Sequence, residues 1–127
     1  MSGMQRRKGA HGERELAQAM LSLGLMCRRS VQYCGRPGNA ADVVCEFLPM
    51  HLEVKRTEKL RLLDATVQAH ADAHGRPWSV AYRSNGRPWL MIMPLDQWAA
   101  DSMMVKEARA QRAALVAQVA ANMDANF

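Results

Sequence analysis

Two short runs constrain this chain more than any other feature: Asp42-Val43-Val44-Cys45-Glu46-Phe47 and His51-Leu52-Glu53-Val54-Lys55-Arg56. Both are rich in apolar and β-branched residues, which favour strands. Pro49-Met50 marks a turn between them, so an antiparallel hairpin is expected. Side chains alternate along a strand, so Glu53 and Lys55 point one way while Leu52 and Val54 point into the opposite layer. With Asp42 at the head of the neighbouring run, two carboxylates and an ammonium converge at adjacent strand ends. That group can hold a hard divalent cation beside a phosphate. Cation, in-line water and a lysine near the developing charge are the parts that phosphodiester hydrolysis requires.

The remaining elements follow from periodicity and punctuation. Leu16, Ala17, Met20, Leu21 and Leu23 recur at helical spacing over Ala10 to Leu23, and Gly24 ends the run. Glu13 and Glu15 then fall in the first turn, where the helix dipole favours acids. The residues before it, 1–9, read as a loose basic arm. Leu25 to Ser30 reads as a short strand and 32–41, with Gly35, Pro37, Gly38 and Asn39, as a loop. Asp64 is placed to cap a helix over Ala65 to His74, ended by Gly75 and Pro77. Ser79 to Arg83 and Trp89 to Met93 form a further strand pair around Asn85-Gly86, a strong hairpin signal. Leu95 to Ala100 reads as one short helix. Val105 to Met123 reads as a separate amphipathic one, within a C-terminal helical segment 103–127.

This order implies an α/β (α+β) domain over 1–127, a mixed central sheet flanked by helices. At 127 residues it is large enough to build a core without disulfides or a structural metal. Cys27, Cys34 and Cys45 are an odd count without a C-x-x-C pair, so reduced cysteines are expected and no zinc site is assigned. His70 and His74 are spaced for zinc but lack further ligands, and read as helix surface. Trp78, Trp89 and Trp98 each adjoin an apolar segment and read as packing residues. No apolar run is long enough to span a membrane, and Met1 to Lys8 leads into a charged helix, not an apolar signal core. A cytoplasmic protein of a bacterial or phage-infected cell is expected.

Charge is distributed unevenly. Residues 5–61 carry eleven Lys/Arg against six Asp/Glu, whereas residues 62–127 carry six of each. The positive field therefore lies in the half that holds the acid/lysine constellation, as suits a polyanionic partner. Thirteen of the seventeen basic residues are Arg, which grips phosphate bidentately. Arg6, Arg7, Lys8, Arg28, Arg29, Arg36, Arg56, Lys59 and Arg61 flank the site and are the candidate DNA contacts. Taken singly, Asp42 also fits a strand-entry turn, and Glu53 and Lys55 the solvated face of an edge strand.

Four segments in order resemble the PD-(D/E)XK nuclease superfamily, most closely its archaeal-type and phage Holliday-junction resolvases. They are Lys8-Gly9-Ala10-His11-Gly12-Glu13-Arg14-Glu15-Leu16, Arg29-Ser30, Ala41-Asp42-Val43-Val44 and Leu52-Glu53-Val54-Lys55. The superfamily's proline is replaced by Ala41, which costs no chemistry. The resemblance implies a restriction-endonuclease-like fold and a Mg²⁺ cofactor, with Mn²⁺ as a substitute. Asp42, Glu53 and the Val54 carbonyl would be ligands, with Glu13 an outer or second-metal carboxylate. Lys55 would orient or deprotonate the attacking water, or stabilise charge on the phosphate. Ser30 would lie near the scissile phosphate, and Gln68 would be a polar site residue on the following helix. It further implies a homodimer that resolves four-way DNA junctions by paired nicks, leaving 5′-phosphate and 3′-hydroxyl ends. The alternatives are a general, flap or single-strand nuclease of the same fold, an inactive DNA-binding protein, and a plain dimerisation module.

Overall fold

The computed structural model describes residues 3–29, 43–45 and 49–126, with side chains from residue 9 onward. Helix α1 (Gly3–Ser22) leads to β1 (Cys27–Arg29), β2 (Val43–Cys45) and β3 (His51–Arg56). Helix α2 (Leu62–Ala73), β4 (Trp78–Arg83), β5 (Leu90–Ile92) and helix α3 (Leu95–Ala125) follow. The strands form one five-stranded sheet in the order β1-β2-β3-β4-β5. Neighbours are antiparallel except β3 and β4, which run parallel. Parallel strands cannot be joined by a tight turn, and α2 supplies the crossover between them. The expected mixed sheet with flanking helices is therefore found, including both hairpin pairings. Gly86, at φ +69°, takes the left-handed conformation that the β4–β5 turn needs.

Alternation in β3 assigns the two faces of the sheet. Leu52 joins Val43, Cys45 and Ala81 under Leu16 and Met20 of α1. On the other side, Ala65 and Ala69 of α2 pack on Val80, with Leu60, Trp78 and Ile92 around them. The buried α2 residues are all alanines, Ala65, Ala69 and Ala73, one turn apart. Small side chains on that stripe let the helix lie close to the sheet.

On its own face, α1 docks equally closely, through Gly12. A Cβ built there would lie 2.7 Å from the Cβ of Arg56 on β3. One turn on, Glu15 accepts hydrogen bonds from the guanidinium groups of both Arg56 and Arg83. Arg56 also donates to the Asn85 side chain at 2.8 Å, and Glu58 accepts from the Asn85 backbone N–H at 2.8 Å. A polar clasp thus ties α1 to the C-terminal ends of β3 and β4 and to the turn beyond.

Several elements differ from the sequence-based expectation. The basic segment is not an arm: α1 begins at Gly3, because Gln5, Arg6, Arg7 and Lys8 are good helix formers even before the apolar repeat starts. Glu13 and Glu15 consequently lie well inside the helix. α2 starts at Leu62, three residues early, with Arg61 at its N-cap. Asp64 is a first-turn acid, not the cap. The two C-terminal helices are one 31-residue helix, since Asp101-Ser102-Met103-Met104 contains no glycine or proline to break it. None of its residues is buried, so the expected apolar stripe is not a core face. Residues Met1–Pro94 and Leu95–Phe127 form two compact units. Cys27 and Cys45 are not reduced. They face each other across the β1–β2 ladder, Cα atoms 4.2 Å apart, and form a disulfide. Their 18-residue separation conceals that contact, because strand register is a long-range property.

Two measurements check this architecture. Gly12→Ala is expected to destabilise by about 1–2 kcal/mol in urea unfolding, overpacking outweighing about 1 kcal/mol of helix propensity. A gain in stability would show that α1 does not approach β3 so closely. Thiol titration of the unfolded, unreduced chain should find one of the three cysteines free, since the bridge uses two. Three free thiols would remove the bridge.

Candidate active site

The central strand β3 carries the site. His51, Glu53 and Lys55 share the face turned to α2, and Leu52, Val54 and Arg56 share the face turned to α1. Glu53 is only 4% exposed. A bare carboxylate in such a position is costly, and its two oxygens have separate partners. His51 Nε2 lies 3.1 Å from Oε2, and Lys55 Nζ lies 3.5 Å from Oε1. Lys55 in turn donates to the Gln68 side chain at 2.8 Å. The fold thus brings Glu53, Lys55 and Gln68 together, from a strand and the helix that follows it.

Two residues that sequence reasoning did not select complete this group. Ligand atoms of His51, Glu53 and Asp72 all lie within 4.8 Å of one another. His51 is 1% exposed, and among the described residues its Nδ1 has no hydrogen-bond partner. A buried imidazole beside two carboxylates is a donor set that fits a divalent metal. Parity offered a signal for His51, which stands two residues before Glu53 on the same strand face. Asp72 stands one helical turn beyond Gln68, a spacing that carries meaning only once α2 is known to cover that face.

Glu13 sits on α1, and Arg29 Nε donates to its carboxylate at 2.5 Å. The Val54 side chain packs against the α1-side core. Asp42, Ser30 and Arg36 lie outside the described residues, as do the side chains of Arg6, Arg7 and Lys8 within α1. Arg28, Lys59 and Arg61 are exposed, and Arg61 faces Asp64 at 3.8 Å. Arg56 donates to Glu15 and to the Asn85 side chain in the clasp. Trp78 packs as expected, edge-on to His70 at 6.4 Å between ring centres. Trp89 also packs against the core, whereas Trp98 is exposed.

A mixed sheet of this order with helices on its faces defines the restriction-endonuclease-like fold. The solved structure of Hjc, a Holliday junction resolvase from the archaeal hyperthermophile Archaeoglobus fulgidus, is similar to this chain with a TM-score of 0.51. The two are 22% identical, over 65% of this chain and 74% of that one. No protein-family model and no curated protein matches the sequence.

The charged clasp has a pH signature. Burial works against the Glu15 charge, but hydrogen bonds and proximity to Arg56 and Arg83 outweigh it and hold the carboxyl below its ordinary value. Because folding lowers this pKa, the stabilisation is fully present at neutral pH and is lost as pH falls through the lowered value. Glu15→Gln should therefore cost about 1–2 kcal/mol at pH 7, in the range of a hydrogen bond to a charged group. The difference from the parent chain should shrink in acid, as read from urea unfolding at a series of pH values. A difference independent of pH would mean that packing, not charge, holds the clasp.

Proposed function

We propose that this chain is a divalent-metal-dependent endodeoxyribonuclease, that its substrate is the four-way DNA junction, and that it acts as a homodimer. The observation that carries this reading is the buried Glu53 carboxylate with Lys55 at 3.5 Å on the same strand face. The fold shared with Hjc supports it, as does the basic excess in the half of the chain that holds the site. Two nicks placed symmetrically in a branched substrate need two active sites, which a two-fold dimer provides. Among the described residues no helix is long and apolar enough to cross a membrane, and a cytoplasmic role on DNA is part of the proposal.

The chemistry assigns each residue a task. Glu53 and Asp42 supply the negative charge that holds the cation, Mg²⁺ in the first instance, with the Val54 carbonyl as a further oxygen. The cation, when bound, polarises the phosphate and lowers the pKa of water. The Lys55 ammonium lies beside Glu53, where it can orient the incoming water and offset charge growing on the phosphate oxygens. Gln68 accepts from Lys55 and fixes the direction of that long side chain. Ser30 is assigned to the scissile phosphate, and Arg28, Lys59 and Arg61 to backbone phosphates further out. Glu13, paired with Arg29, is assigned as an outer or second-metal carboxylate. Water adds to phosphorus as the P–O3′ bond breaks, leaving a 5′-phosphate and a 3′-hydroxyl.

Incubating the protein with a synthetic four-way junction, a matched linear duplex and a single strand, in Mg²⁺ or Mn²⁺, tests this. Paired symmetric nicks in the junction alone are expected. Lys55→Ala should slow them by roughly 10²–10³-fold, the usual weight of a group aimed at charge that develops in the transition state. Equal cutting of all three substrates would replace the junction enzyme with a general nuclease. Tight binding without cutting would make the chain a DNA-binding protein.

A further inference from the structure

Helix α3 buries none of its 31 residues, although packing of an apolar face is what ordinarily holds a helix in water. Along it, Trp98, Asp101, Val105, Ala108, Arg112 and Leu115 recur at alternating steps of three and four. That spacing keeps them on one seam of a coiled helix. At 1.5 Å per residue the seam is about 26 Å long. All six residues are exposed, Trp98 at 57% and Leu115 at 61%.

The order of residues along this seam is its own complement. A second copy turned end for end, with the two-fold axis between Lys106 and Glu107, sets Trp98 against Leu115, Asp101 against Arg112 and Val105 against Ala108. Each contact is then made twice, as a two-fold interface requires. Beside the seam, Leu95 meets Val116, and both are well exposed in the single chain. Together the apolar side chains of two copies would withdraw on the order of 1,000 Å² from water, the extent that a specific interface needs. A parallel pair in register would instead set Asp101 on Asp101 and Arg112 on Arg112, like charges facing each other in the seam. We propose that α3 joins two copies of this chain as an antiparallel two-helix coiled coil, with the Asp101–Arg112 pairs fixing its direction and register. Polar groups at seam positions cost stability and specify register in this way. The pairing is read from α3 alone. That it brings two nuclease units together rests on the proposed function.

Sedimentation equilibrium of the full chain over a concentration series, beside junction cleavage, tests the pairing. The parent chain is expected to dimerise. Asp101→Arg and Arg112→Asp each set like charges across the antiparallel seam, and each should weaken the dimer at least about tenfold. The two changes in one chain exchange the signs and should restore it to within about threefold of the parent, since the two positions act as one coupled pair. Both positions are exposed, so neither change opens a core. A monomeric parent chain, a dimer that tolerates either single change, or no recovery in the doubly changed chain would overturn the pairing. Paired junction nicks from a dimer indifferent to both single changes would leave the nuclease and remove the α3 seam. A dimer that is lost and recovered as expected, but cuts no DNA, would leave the seam and remove the nuclease.

Discussion

The burial of one carboxylate organises this molecule. Glu53 stands in the middle strand of five, at 4% exposure, where an unpaired charge would cost several kcal/mol. Its neighbours in space answer that cost. His51 and Lys55 each meet one oxygen, Gln68 holds Lys55, and Asp72 brings a second acid within 4.8 Å of this group. The alanine stripe Ala65, Ala69 and Ala73 follows from the same requirement. A helix carrying large side chains there would stand off from the sheet and leave Gln68 and Asp72 out of reach of β3.

Alternation lets a single strand carry two unrelated functions. On the α1 side, Leu52 fills the core, Val54 packs beside it and Arg56 anchors the clasp that binds Glu15, Asn85 and the end of β4. On the α2 side, His51, Glu53 and Lys55 are free of that structural duty. Gly12 matters because it sets the spacing of the first layer: α1 rests on the base of the Arg56 side chain. A register slip of one residue in β3 would exchange the two sets and bury the clasp where the site belongs, so packing on both faces specifies the register.

Much of this was legible in the residues. Strand β3 showed its period of two, Asn85-Gly86 announced its hairpin, and Gly75 with Pro77 marked the end of α2. These signals are local and act through backbone conformation. Glu53 and Lys55 could be paired for the same reason, since i and i+2 on a strand share a face. Less was legible wherever the cause is tertiary. Nothing near Cys27 indicates Cys45, because their meeting depends on the register of β1 against β2. The Glu13–Arg29 and Glu15–Arg56 pairs arise only when α1 is laid on the sheet. His51 and Asp72 belong to segments already noticed, but their convergence requires α2 to cover β3. The single α3 helix was missed for the opposite reason, a gap in apolar periodicity being read as a break when no breaker residue was present.

The most direct test of the central claim is the junction-cleavage rate of Glu53→Gln, measured beside its affinity for the same junction and its unfolding midpoint. Glutamine keeps the shape and removes the buried charge, so the chain should fold at least as stably and bind DNA about as tightly. Cutting should fall by roughly 10³-fold or more, as a lost metal ligand and its charge require. A folded Glu53→Gln chain that cuts at the parent rate would show that the buried carboxylate is structural and that the chemistry lies elsewhere.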